Sequence, residues 1–170
     1  AQNAALSVLS VKQFDSNISN EKIQEGLSSV LWPGRLQKID NKSPIFYDVA
    51  HNSDGISSTL RMFNNNWHNK PIGVFALKSE KNIDSIAQSI HNAFSVLYIT
   101  TIPGTNLLPT NELAHRLTMN NINCLAIQNI ELAMTIMKNQ VTKDRPGLIF
   151  GSHYIAKAVF DYFSFPFDKG

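Results

Sequence analysis

One cysteine in 170 residues, Cys124, rules out any internal disulfide. With no His or Lys beside it, in an apolar strand-like stretch, the thiol is expected to be buried and inert. Such cysteine use suits a reducing compartment, and a cytoplasmic setting is expected. Charge is scarce too: 16% of residues are charged and the net charge is +2. The basic residues are scattered and form no run or aromatic-interleaved patch, so a nucleic-acid partner is not expected. No apolar run approaches the roughly 20 residues of a membrane span, so no membrane partner is expected either.

Several motifs are also missing. There is no Gly-x-x-x-x-Gly-Lys-Ser/Thr phosphate loop, no Gly-x-Gly-x-x-Gly after a strand, and no Gly-x-Ser-x-Gly elbow. No His/Cys cluster has metal-ligand spacing. What is present is a hydrophobic fraction of 43%, enough for a real core.

Two textures divide the chain. Asn3 to Phe14 is a crowded apolar stretch suited to a helix that packs on a neighbour, and Asp15-Ser16-Asn17 breaks it. Ser19 reads as the N-cap of a second helix running to about Val30, with Glu21 in its first turn. Trp32-Pro33-Gly34 stops it, with Trp32 expected as a packing anchor. From Arg35 strands and helices alternate. Strands are expected at 36–39, 45–49, 72–77, 96–100, 123–127 and 148–150, and helices near 54–65, 83–94, 111–119, 130–140 and 153–163. The link 40–44 is too short for a parallel crossover, so the first two strands should form an antiparallel hairpin. The expected fold is α/β: a Rossmann-like, doubly wound, mainly parallel six-stranded sheet with an antiparallel first strand and helices on both faces.

Polar residues gather where strands hand over to helices, the edge at which open α/β sheets bind ligands. Tyr47-Asp48-Val49-Ala50-His51-Asn52 puts an acid, an imidazole and an amide at one such turn. Asp48 could accept from a ribose diol, help bind a metal, or cap the following helix. His51 could face phosphate, and Asn52 could bind ligand or be the N-cap. Trp32-Pro33-Gly34-Arg35 delivers a guanidinium that can fork two phosphate oxygens. Lys78-Ser79-Glu80-Lys81 and Gly151-Ser152-His153-Tyr154 follow later strands, where lysines or a capped helix start could hold an anion.

Trp-Pro-Gly-Arg followed by Asp-x-Ala-His-Asn, with Gly-Ser-x-Tyr near the end, resembles the C-terminal domain of the folylpolyglutamate synthase and dihydrofolate synthase family, within the Mur ligases. The chain departs from that pattern at Val49, usually Gly, and at Ser53, usually Pro. The resemblance implies that residues 1–33 are the helical end of an N-terminal ATPase domain plus linker, and 34–170 a complete Mur ligase-like C-terminal domain. It implies ATP and Mg²⁺, with the Mg²⁺ ligands mainly in the N-terminal domain, and folate or dihydropteroate and L-glutamate as substrates. It also implies catalytic roles for Arg35 and His51, ATP contacts from Arg35, Asp48, His51 and Asn52 with ribose on Asp48, and glutamate contacts from Lys81 and Ser152. The chain alone is expected to be inactive. The competing reading is a non-catalytic flavodoxin-like binding or receiver module, phosphorylated on Asp48.

Overall fold

The computed structural model describes residues 2–30 and 32–166; Ala1, Leu31 and residues 167–170, which the expected domain bounds include, lie outside the described residues. The chain divides after Trp32 into two compact units.

The first unit is a pair of helices, α1 (Gln2–Phe14) and α2 (Asn20–Ser29). Asp15 turns the chain between them: its N–H donates to Val11 O at 2.8 Å, and its carboxylate accepts the Asn17 N–H at 2.9 Å. Ser19 is the expected N-cap, its hydroxyl accepting from Lys22 N. Val8, Val11, Ile18 and Ile23 line a shallow cleft between the helices. Leu6 and Leu9 stay exposed, and Phe14 is 96% exposed.

The second unit is the alternating one. Its elements are β1 (Gln37–Lys38), β2 (Ile45–Asp48), α3 (Ser53–Asn66), β3 (Ile72–Phe75), α4 (Ile83–Ile90), β4 (Val96–Thr101), α5 (Thr110–Met119), β5 (Leu125–Asn129), α6 (Ile130–Gln140) and β6 (Gly147–Phe150). A 3-10 turn (His153–Ile155) and α7 (Ala156–Tyr162) close it. The sheet order is β1-β2-β6-β3-β4-β5, with β1 antiparallel to β2 and every other pairing parallel. β6 therefore inserts between β2 and β3, with Leu148 beside both Phe46 and Gly73.

Strand periodicity of two sends alternate side chains to opposite faces. Phe75, Leu97, Ile99, Leu148 and Phe150 meet α3, α4 and α5 on one face. Ile45, Tyr47, Val74, Tyr98 and Ile149 meet α6 and α7 on the other. Phe150 stacks between Phe75 and Phe94, with centroids at 4.6 and 5.2 Å. The six strands and the helices on both faces match the sequence expectation.

Its boundaries differ in informative places. β1 loses Leu36 because that residue is left-handed, at φ 44. α4 stops at Ile90, not Phe94, and Asn92 follows in a left-handed turn. β5 begins at Leu125, so Cys124 lies outside the strand. Cys124 is half-buried rather than buried, its Sγ 3.7 Å from Ala114 O, and partial burial pushes its thiol pKa up. Trp32, expected as a packing anchor, is 69% exposed.

At the amino end of the sheet, Asp40 pairs with Lys138 at 3.2 Å. Burial works against its charge, but the Lys42 amide, Lys138 and the Ser43 amide outweigh it and hold its pKa down. A depressed folded-state value means stability that is full above the ordinary carboxylate range of about 4 and lost as pH falls through the folded value. Asp40→Asn should remove that part of the acid dependence, read from urea midpoints between pH 2 and 6 at about half-unit steps.

Gly151 joins the ends of β6 and β3. Its φ is +105, and a Cβ there would sit 2.2 Å from the Ala76 carbonyl oxygen. Gly151→Ala should cost roughly 2–4 kcal/mol in urea unfolding of the chain.

Candidate functional site

The carboxyl ends of β2, β6 and β3 form one continuous rim, because these strands are neighbours and parallel. β1 runs the other way, so its start, with Arg35 just ahead of it, reaches the same rim.

Asp48 ends β2 and is 4% exposed. Its Oδ2 accepts the Leu36 N–H at 2.8 Å and its Oδ1 the Ala50 N–H at 2.7 Å. Gly34 O accepts the Val49 N–H at 2.8 Å, and Gln37 Oε1 accepts the Gly34 N–H at 2.9 Å. These bonds hold Gly34 (φ 70) and Leu36 (φ 44) in left-handed conformations, and Arg35 stands exposed between them. A leucine in that region is strained, so its neighbours must over-determine it. The Val49 side chain packs over Gly34, where a Cβ would meet its Cγ1 at 2.7 Å.

Both of its oxygens serve backbone amides, so Asp48 fixes the Arg35 loop. It does not cap α3. Asn52 does that, accepting the Gly55 N–H at 2.9 Å.

His51 lies on the same turn, with Nδ1 2.9 Å from Val49 O. A carbonyl only accepts, so Nδ1 carries the hydrogen and Nε2 remains to meet a ligand. Arg35, Asp48, His51 and Asn52 thus come together at the β2 rim.

Ser152 caps the 3-10 turn that follows β6. It is 1% exposed, its hydroxyl accepts Tyr154 N at 3.2 Å, and its carbonyl accepts the Tyr47 hydroxyl at 2.9 Å. It shapes the turn after β6. Tyr47, which sequence reasoning passed over, ties that turn to β2; burial, and then the charge of Asp48, push its pKa up and keep it a donor. Strand alternation put Tyr47 on the face opposite Phe46, but nothing in the sequence pointed to its partner.

The loop after β3 is held to the loop after β4: Leu108 N donates to Leu77 O at 2.8 Å, and Ser79 Oγ to Asn106 Oδ1 at 2.9 Å. Lys78, at 20% side-chain exposure, pairs with Glu80 at 2.8 Å and lies 5.4 Å from the Tyr154 ring centre. Lys78 holds the Glu80 carboxyl below its usual range, by hydrogen bond and then by charge; desolvation opposes this, and Lys81 and His51 add smaller pulls. Among the described residues no three His, Cys, Asp or Glu side chains gather as a metal site. No described helix is long and apolar enough to cross a membrane.

A receiver-type phospho-acceptor is disfavoured by the same geometry, since Asp48 is buried and both its oxygens are occupied. The family described as "Mur ligase, glutamate ligase domain" matches residues 34–153, and the chain belongs to it. Folylpolyglutamate synthase of Lacticaseibacillus casei is 32% identical over 152 residues, 87% of this chain and 33% of that protein. The dihydrofolate synthase/folylpolyglutamate synthase of Bacillus subtilis is 35% identical over 104 residues, 54% of this chain and 24% of that protein. A Mycobacterium tuberculosis folylpolyglutamate synthase solved with ADP and AMPPCP shares the fold, with a TM-score of 0.84 over 95% of this chain and 39% of that one, at 22% identity. The chain spans about a quarter to a third of the two curated relatives described.

Asp48→Asn is the sharpest probe of the latch. An amide of the same shape can accept one N–H but must turn an NH₂ toward the other. We expect a loss of about 1–3 kcal/mol in urea unfolding, with faster hydrogen exchange at the Leu36 amide than at core amides.

Proposed function

We propose that the chain is the C-terminal lobe of an ATP-dependent carboxylate–amine ligase of the cytoplasm that adds L-glutamate to dihydropteroate, to folate, or to both. The observation that carries this reading is the set of bonds uniting Arg35, Asp48 and His51 at the β2 rim, in a domain of this family. Residues 1–33 would then be the helical end of the ATPase domain and its linker, and 34–170 the closing domain. ATP and Mg²⁺ would be gripped mainly by the ATPase domain.

In the proposed reaction a substrate carboxylate oxygen attacks the γ-phosphorus of ATP, releasing ADP and forming an acyl phosphate. The glutamate amine, having lost a proton, attacks the acyl carbon, and the tetrahedral adduct expels inorganic phosphate to leave an amide. Negative charge grows on phosphoryl oxygens in the first step, so positive groups aimed there lower its barrier. Arg35 offers a fork of donors, and His51 turns Nε2 to the same rim. Asp48 keeps Arg35 in place and would contact the ribose of ATP, and the Asn52 amide would border the nucleotide. Lys81 lies on the adjoining loop, suited to a carboxylate of the incoming glutamate, while Ser152 contributes by shaping the turn beside it. Closure of the two lobes would keep water from the acyl phosphate.

The chain alone should show no glutamate-dependent ATP turnover, because half of the nucleotide grip is supplied elsewhere. Joined to the ATPase domain of its parent or of the L. casei relative, it should turn over ATP only when glutamate and a folate or dihydropteroate are present. In that assembly Arg35→Ala and His51→Ala should each lower kcat by about 100-fold. Turnover by the isolated chain, or unchanged rates in both variants, would refute the reading.

A further inference from the structure

The loop that carries Arg35 is held at three points, and only one of them is Asp48. Beyond the arginine, Asp48 Oδ2 takes the Leu36 N–H at 2.8 Å. Ahead of it, Gln37 Oε1 takes the Gly34 N–H at 2.9 Å, and the Val49 N–H donates to the Gly34 carbonyl at 2.8 Å. Gln37 belongs to β1, where it pairs with Tyr47, and its side chain turns back three residues to close the loop on itself. Gly34 is buried, so its N–H cannot turn to water instead. A Cβ on it would meet Val49 Cγ1 at 2.7 Å and Tyr47 Cε1 at 3.3 Å, so a side chain cannot replace the hydrogen bond as a restraint. Successive peptide groups are thus fixed: 33–34 by Gln37, 34–35 by Val49 and 35–36 by Asp48.

We propose that Gln37 is a positioning residue for Arg35: its amide oxygen sets the direction from which the guanidinium meets a phosphoryl group, without itself touching a ligand. The phosphoryl group is supplied by the ligase reading, on which this rests; the hold on Gly34 stands on the hydrogen bond itself. Once the Gly34 N–H is released, its φ of 70 has no Cβ to restrict it, and glycine adopts many other values at little cost. Arg35 would then divide its time among several directions, and the aligned fraction falls. The loss falls on kcat rather than on KM, because the guanidinium matters most where charge grows on the phosphoryl oxygens.

The test uses the two-domain assembly, with Gln37→Met to remove the amide oxygen at nearly equal size and Gln37→Glu to keep an acceptor. Gln37→Met should lower kcat about 10-fold with KM for ATP within about twofold, and Gln37→Glu should retain most of the parent rate. The decisive arm is coupling. In the Arg35→Ala background Gln37→Met should change kcat by less than about twofold, since no guanidinium is left to aim. A merely structural glutamine would cost the same factor in both backgrounds. Hydrogen exchange on the 170-residue chain gives a second reading: Gln37→Met should speed the Gly34 amide and leave the buried Leu148 amide unchanged. Equal losses in the two backgrounds, a Gln37→Glu variant as slow as Gln37→Met, or an unchanged Gly34 amide would each overturn the proposal. Failure of the ligase reading looks different: Arg35→Ala would leave turnover untouched, and the role of Gln37 would fall with it.

Discussion

A single buried carboxylate organises the rim. Asp48 stands at the end of a strand with water almost excluded, and it is tolerated there because two backbone amides meet its two oxygens. One amide belongs to its own turn and the other to a segment 12 residues earlier. The carboxylate thus converts the end of β2 into an anchor for the loop before β1, and the exposed guanidinium of Arg35 inherits that rigidity. Its cost is a left-handed leucine, which the surrounding bonds maintain.

From that anchor, order passes along the rim by close packing. Tyr47 reaches across to the carbonyl of Ser152, so the turn after β6 is fixed to β2. Gly151 lets that turn lie against Ala76, fixing it to β3 as well. Lys78 then crosses to Tyr154. Arg35, His51 and Lys78 thus stand on loops tied to buried groups.

How much of this could be read from the sequence depended on distance along the chain. Strand and helix order, the hairpin, and the gathering of Arg35, Asp48, His51 and Asn52 follow from local periodicity and turn residues, and all were legible. The hydrogen-bond partners of Asp48 and Ser152 were not. Each depends on partners brought close by the sheet: Leu36 for the first, Tyr47, 105 residues away, for the second. Leu36 itself reads as a strand residue, since its left-handed backbone exists only because Asp48 holds it. Cys124 read as buried because its neighbours are apolar, yet it falls just before an edge strand with little covering it.

The place of β6 has a consequence for how the molecule is made. Leaving the ribosome, the hairpin β1–β2 and the trio β3–β4–β5 would be two separate islands, each with an open flank where the last strand belongs. Gly147–Phe150 is a keystone laid late, and its pairings with β2 and β3 join residues about a hundred and about seventy-five positions apart. Until it is set, neither Tyr47 nor Ala76 has its neighbour, so the turn after β6 gains its ties to β2 and β3 only with that strand in place.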